Sequence, residues 1–172
     1  MIIALPRPVL VVLVGATSSG KSTFARQHFA TTEVVSSDAC RALLADDENA
    51  LDINREAFAL VHHIAAARLA LGRVAVIDAT NLQRPSRAPL LAMARQHRLP
   101  AVAIVLDLEE RVLQERARQR ADRTLPPHEV RGQVRALRGT LRFLPNEFSQ
   151  LHVLTSEAEV DAVTVEWAGA AV

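Results

Sequence analysis

The chain has 172 residues, 49% apolar and 23% charged, the proportions of one soluble globular domain with a sizeable core. Its single cysteine, Cys40, excludes an internal disulfide framework, and no apolar run approaches the ~20 residues needed to cross a bilayer. A net charge of +1 gives no overall pull toward polyanions, yet nine arginines between Arg111 and Arg142 stand against only Glu115, Asp122 and Glu129, a stretch suited either to phosphate-bearing ligands or to a solvated helix face.

Met1 to Val14 reads as a buried strand and not a signal peptide, since it is short, carries Arg7 between Pro6 and Pro8, and lacks a basic leader. The expected location is the cytoplasm. Within that segment Val9 to Val14 is continuously apolar, the pattern of a central parallel strand covered on both faces. A helix is expected from Lys21 to about Phe29, a short strand from Glu33 to Ser36, and a helix from Asp38 to Leu44. After an acidic loop, helical spacing of Phe58, Val61, Ile64 and Leu69 marks Ile53 to Leu71, closed by Gly72. Val74 to Ile77 is a third strand, Pro85 to His97 a helix, and Pro100 to Leu106 a fourth strand. Helices follow at Glu109 to Ala121 and from Pro126 to about Leu137, then a fifth strand at His152 to Leu154. Glu157 to Val163 reads as a helix with an apolar tail. Repeated βα units predict a three-layer α/β sandwich with a mostly parallel five-stranded sheet. One domain is expected over residues 1–172, with a core at about 9–154, a helical lid at about 109–139 and an extension at 155–172.

The strongest motif is Gly15-Ala16-Thr17-Ser18-Ser19-Gly20-Lys21-Ser22, a complete G-x-x-x-x-G-K-[ST] between an apolar strand and a helix. Gly15 and Gly20 let the backbone turn its N–H groups inward, and Ser18 and Ser19 are small enough to leave that cradle open. The helix behind it directs its positive end at phosphates. Lys21 would reach the β- and γ-phosphates of ATP, and the Ser22 hydroxyl would ligate Mg²⁺. Of twenty cationic residues nineteen are arginine, so a lysine here marks a need for a compact ammonium.

Acceptor chemistry is expected at the ends of the neighbouring strands. Asp38 stands where it could take a proton from an attacking hydroxyl, or merely cap its helix. Arg41, three residues on, shares its helix face and could hold an anionic group of the acceptor. Ile77-Asp78-Ala79-Thr80-Asn81 resembles a Walker B segment, with Asn81 open to a competing reading as a helix cap. Arg116, Arg120 and Arg123 align on one helix face, and the helix–loop–helix hairpin they occupy could close over the phosphates. Cys40 reads as buried, and His62 and His63 as core or surface residues without a metal.

These segments together resemble the polynucleotide kinase family, above all the N-terminal kinase domain of bacterial end-healing polynucleotide kinase-phosphatases. The residues that carry the likeness are Gly15 to Arg26, Val34 to Arg41, Asp46 to Asn49, Val76 to Asn81, Pro100 to Val105 and Glu115 to Arg123. The resemblance implies a three-layer P-loop NTPase fold of nucleoside-kinase type with a helical lid, and Asp38 as general base on a 5′-hydroxyl, with Lys21, Ser22, Thr23 and the preceding loop on ATP and Mg²⁺. It implies Arg41 on the phosphate beside the 5′ end, Arg116, Arg120 and Arg123 on the ATP phosphates, and Asp78, Thr80, Asn81 and Arg87 on the acceptor side. Family members carry phosphatase and adenylyltransferase modules after the kinase; none follows here before Val172, so the kinase is expected to work alone or with end-healing or ligase partners in trans. A small-molecule kinase (sugar, nucleoside or antibiotic) and a non-catalytic NTP-binding regulator are the alternatives, and no membrane partner is expected.

Overall fold

The structure, a computed structural model, describes residues 1–121 and 125–168. The first apolar segment forms two strands where one was expected. β1 (Ile2–Leu5) ends before Pro6-Arg7-Pro8 and β2 (Leu10–Gly15) begins after it, because proline lacks the N–H that a ladder needs. Then come α1 (Lys21–His28), β3 (Val34–Ser36), α2 (Ser37–Ala45), a 3₁₀ turn at Leu51–Ile53 and α3 (Asn54–Ala70). β4 (Ala75–Asp78), α4 (Arg84–Gln96), β5 (Ala101–Leu106), α5 (Glu110–Gln119) and α6 (Pro127–Leu141) follow. The chain continues through β6 (Gln150–Leu154), α7 (Glu157–Ala162) and β7 (Thr164–Trp167).

Five strands pair in the order β3-β4-β2-β5-β6, and every ladder is parallel. β2 lies at the centre and is buried along its whole length. Its side chains alternate between faces as the pleat requires. Leu10, Val12 and Val14 join the core beneath α3, α4 and α6, while Val11 and Leu13 join the core beneath α1. A third apolar cluster brings Leu113 and Ala117 of α5 against Val130 and Val134 of α6, with Ala16 of the motif loop at its edge. The α5–α6 hairpin is therefore packed against the loop itself. No helix of the described residues is long and apolar enough to cross a membrane.

The C-terminal tail forms an element that the sequence reading left as an apolar stretch. β7 pairs in parallel with β1, Ile2 opposite Thr164 through Leu5 opposite Trp167. Arg7, between the prolines, lies 4.4 Å from the Trp167 ring centroid and 2.5 Å from the Glu33 carboxylate.

Arg87 departs from its expected acceptor role. Its side chain is fully buried at 0% exposure, and Glu147 accepts from its Nε and Nη2 at 2.8 and 2.9 Å. The carbonyls of Asn81 and Leu82 and the Thr140 hydroxyl accept the remaining bonds, each at 2.9 Å. A guanidinium so enclosed has no surface for a ligand; it pins α4 to the end of α6. Breaking such a pair on one side strands a buried charge. Arg87→Met should therefore cost about 3–5 kcal/mol in urea unfolding, and the double variant Arg87→Met, Glu147→Met should recover most of that loss.

Candidate functional site

The cradle begins where β2 ends. The Gly15 N–H donates to Thr80 O at 3.1 Å, joining the loop to the segment after β4. A Cβ on Gly15 would meet Ser19 Oγ at 2.8 Å and Leu106 O at 3.0 Å, so only glycine fits against β5. Ser18 and Gly20 take left-handed backbone at φ 65° and 94°, which turns successive amides toward one concavity. Ser18 Oγ is buried with no hydrogen-bond partner among the described residues. A buried orphan hydroxyl inside a ring of amides fits a ligand rich in oxygen acceptors. α1 starts at Lys21 and points its N-terminal end the same way. Thr23, in its first turn, is exposed and accepts from Arg26 at 3.4 Å.

Lys21 is buried, and its Nζ donates to Ala16 O at 2.8 Å and Ser19 Oγ at 3.3 Å. Burial away from water lowers its pKa from 10.5 to about 8; Asp78 and then Asp38 oppose the fall, and Arg120 adds to it. That pattern places Asp78, Asp38 and Arg120 around one ammonium. Asp78 ends β4, is itself buried, and accepts a hydrogen bond from the Ser22 hydroxyl. Burial pushes its pKa up, while the Ser22 bond and the Lys21 charge pull it down.

Asp38 lies in the first turn of α2 with its side chain 45% exposed. It is not the helix cap, because Ser36 Oγ accepts from Ala39 N–H at 3.3 Å and fills that role. Arg41 donates from Nη2 to Asp38 Oδ1, from Nε to Glu48 O at 2.7 Å and from Nη1 to Asn54 Oδ1 at 2.8 Å. With its side chain 5% exposed and each of its nitrogens engaged, Arg41 holds the Asp38 carboxylate in place and does not present itself to an acceptor. That corrects the expected anion contact.

Asn81 is turned inward too, but its buried Oδ1 has no hydrogen-bond partner among the described residues. It is 2% exposed at φ 50°, and its Nδ2 donates to Leu13 O at 2.8 Å and Ala79 O at 3.3 Å, clamping the end of β4 to β2. No side chain caps α4, so the competing cap reading is not met. Thr80 stays accessible and lines a cavity of about 360 Å³ with Leu82, Gln83, Ser86, Glu129 and Gln133.

Over the loop lies the α5–α6 hairpin. Arg116 Nη1 donates to Ser19 O at 3.4 Å, and its Nη2 donates to Glu157 Oε1 at 2.5 Å. The charge of Arg120 helps to lower the pKa of Lys21. Arg123 lies outside the described residues. Two participants were missed in the sequence. Gln133 of α6 accepts from the Thr17 N–H of the loop at 2.7 Å, and Glu157 of α7 holds Arg116. Nothing in the spacing of α6 singles out Gln133. Ser156 to Glu159, however, spells the S-x-x-E capping pattern that fixes where α7 begins.

The family model described as "AAA domain" matches residues 10–143. No curated protein is significantly similar to the chain. Among solved structures, the chain superposes on one in the Pnkp1/Rnl/Hen1 RNA repair complex with TM-score 0.69 and 24% identity, covering 81% of this chain and 47% of that one, so it spans about half of that relative's length. Kti12 from Chaetomium thermophilum in complex with ADP-AlF3 gives TM-score 0.63 and 21% identity over 88% of this chain and 93% of that one. A gluconokinase from Sinorhizobium meliloti 1021 gives 0.54 and 20% over 88% and 84%. At these identities the likeness is one of fold: a kinase-like P-loop domain.

The Lys21 environment makes ligand affinity depend on pH. The folded, empty protein releases the Lys21 proton near pH 8, well below the unfolded chain, whereas phosphate oxygens favour the ammonium. The protonated fraction falls from about nine-tenths at pH 7 to about one-tenth at pH 9, so nucleotide affinity should drop about tenfold, with proton uptake on binding. Calorimetry in buffers of differing ionisation enthalpy reads both quantities, and Lys21→Arg, charged throughout, should lack the step.

Proposed function

The chain belongs to the AAA domain family, and on that premise we propose that it transfers the γ-phosphate of ATP to a hydroxyl, namely the 5′-hydroxyl of a polynucleotide. One observation carries this reading. A half-exposed carboxylate, Asp38, is oriented by a buried arginine and stands within electrostatic reach of the buried P-loop lysine. A general base must meet its substrate, and the exposure of Asp38 leaves it able to do so.

In the proposed reaction the backbone amides of Ser18 to Ser22 and the Lys21 ammonium bind the phosphate chain. Asp38 accepts the hydroxyl proton as that oxygen bonds to the γ-phosphorus, and the bond from phosphorus to the β–γ bridging oxygen breaks, releasing ADP. Arg41 positions Asp38. Arg116 and Arg120, from the hairpin acting as lid, spread their charge over the transferring group. The Ser22 hydroxyl beside the Asp78 carboxylate offers the hard oxygen donors that Mg²⁺ takes, directly or through water. When bound, that ion would neutralise phosphate charge.

The polynucleotide acceptor is supported by the run of residues resembling polynucleotide kinases and by the fold shared with a chain of an RNA repair complex. Partners acting in trans on the same strand ends belong to this reading. The cavity beside Thr80 favours a second one, a small polar acceptor, because its volume suits a metabolite and no lysine or arginine lines it.

Labelled ATP with Mg²⁺ and a 5′-hydroxyl oligonucleotide separates the two. Label should appear on the oligonucleotide; label on a sugar or nucleoside alone would remove the polynucleotide. Asp38→Asn should lower kcat by about 10²–10⁴ while the ATP dissociation constant stays near that of the unaltered protein. Undiminished turnover would take Asp38 out of the mechanism.

A further inference from the structure

We infer that Glu157, at the start of α7, competes with bound nucleotide for the lid arginine and thereby sets how tightly the P-loop holds its ligand. The inference rests on the reading above only for the identity of that ligand. Arg116 lies directly over the loop: its Nη1 donates to Ser19 O at 3.4 Å and stands 3.3 Å from where a Cβ on Gly20 would be. Its carboxylate partner in this state is Glu157, at 2.5 Å. A guanidinium offers a planar fork that carboxylate and phosphate oxygens engage in the same manner. A nucleotide phosphate over Gly20 therefore meets an arginine already held by an anion.

Glu157 is fixed where it stands. Ser156 Oγ accepts from the Glu159 N–H at 3.2 Å, and the Glu159 carboxylate accepts from the Thr155 N–H at 2.6 Å and the Thr155 hydroxyl at 3.0 Å. This capping arrangement fixes the backbone of the first turn of α7, from which Glu157 projects toward Arg116. Glu157 also walls a cavity of about 210 Å³ with Leu108, Arg111, Val112 and Ser156, which leaves it open to incoming solutes. Its side chain is 51% exposed, so its replacement disturbs no core. The other donors around the loop are satisfied in a comparable way, the Thr17 N–H by Gln133 Oε1 and the Lys21 ammonium by Ala16 O. Those stand-ins are neutral and come from the lid or the loop. Glu157 is charged and comes from the C-terminal segment, which gives that segment a role in the site.

The test reads nucleotide affinity directly, by calorimetry with ADP and with a non-hydrolysable ATP analogue. Glu157→Gln should tighten both about two- to fivefold, the range that an ion pair open to solvent is worth. In an Arg116→Gln background the same change should do nothing, an outcome that a merely structural role for Glu157 would not produce. Equal or weaker affinity in Glu157→Gln, or an effect that persists without Arg116, overturns the inference, as does a protein that binds neither nucleotide. Should nucleotide bind while no hydroxyl compound is phosphorylated, the phosphotransferase reading falls, and the affinity comparison still decides this one.

Discussion

A buried ammonium with too little negative charge around it is the constraint on which the site depends. Lys21 sits in a loop that offers it two neutral oxygens and lies in the fields of Asp78 and Asp38. Those attractions do not offset the loss of water, and the amine gives up its proton near pH 8. The surrounding geometry exists to keep it there. Gly15 lets the loop lie against Leu106 of β5, its N–H ties the loop to Thr80 after β4, and Asn81 clamps the same strand end to β2. A phosphate chain would supply the charge that the protein withholds, and this makes the cradle selective for polyanions without any contact to the rest of a ligand.

Of the five arginines expected at the site, the four among the described residues divide by burial into two kinds. Arg41 and Arg87 face inward with their donors spent on the chain's own oxygens. They fix a carboxylate and a helix junction. Arg116 is partly exposed over the loop, and the charge of Arg120 helps to lower the pKa of the lysine. Guanidinium suits both tasks, since its planar fork satisfies several acceptors at once and its charge survives burial. Residue type alone therefore says little about task. What decides is whether the nearest acceptors belong to the fold or are left for a ligand.

That division also explains which parts were legible in the sequence. The motif from Gly15 to Ser22 was readable because every residue in it answers to a local requirement of backbone or phosphate. The parallel sheet was readable because continuous apolar runs such as Val9 to Val14 and Pro100 to Leu106 have few other uses. The inward turn of Arg41, Arg87 and Asn81 was not, since their partners Glu48, Glu147 and Leu13 lie 7, 60 and 68 residues away in sequence. The break at Pro6-Arg7-Pro8 was visible as residues. Its consequence, a β1 that leaves the main sheet for β7, depends on a strand formed more than 150 residues later. Gln133 was hidden for the same reason: only the docked hairpin brings it to Thr17, 116 residues away.

The displaced proton equilibrium of Lys21 also has a chemical side. An amine with a pKa of about 8 carries far more free base at pH 8 than an ordinary surface lysine, and that fraction is the nucleophile. Because Lys21 is the sole ε-amine among 172 residues, a small uncharged acylating reagent, which brings no phosphate to re-protonate the amine, would mark one lysine and yield one modified peptide. The α-amine of Met1, which donates to Ala162 O at the far edge formed by β1 and β7, is the other amine to tell apart from it. A chain that uses arginine almost everywhere else thus leaves its phosphate cradle as the natural address for covalent labelling.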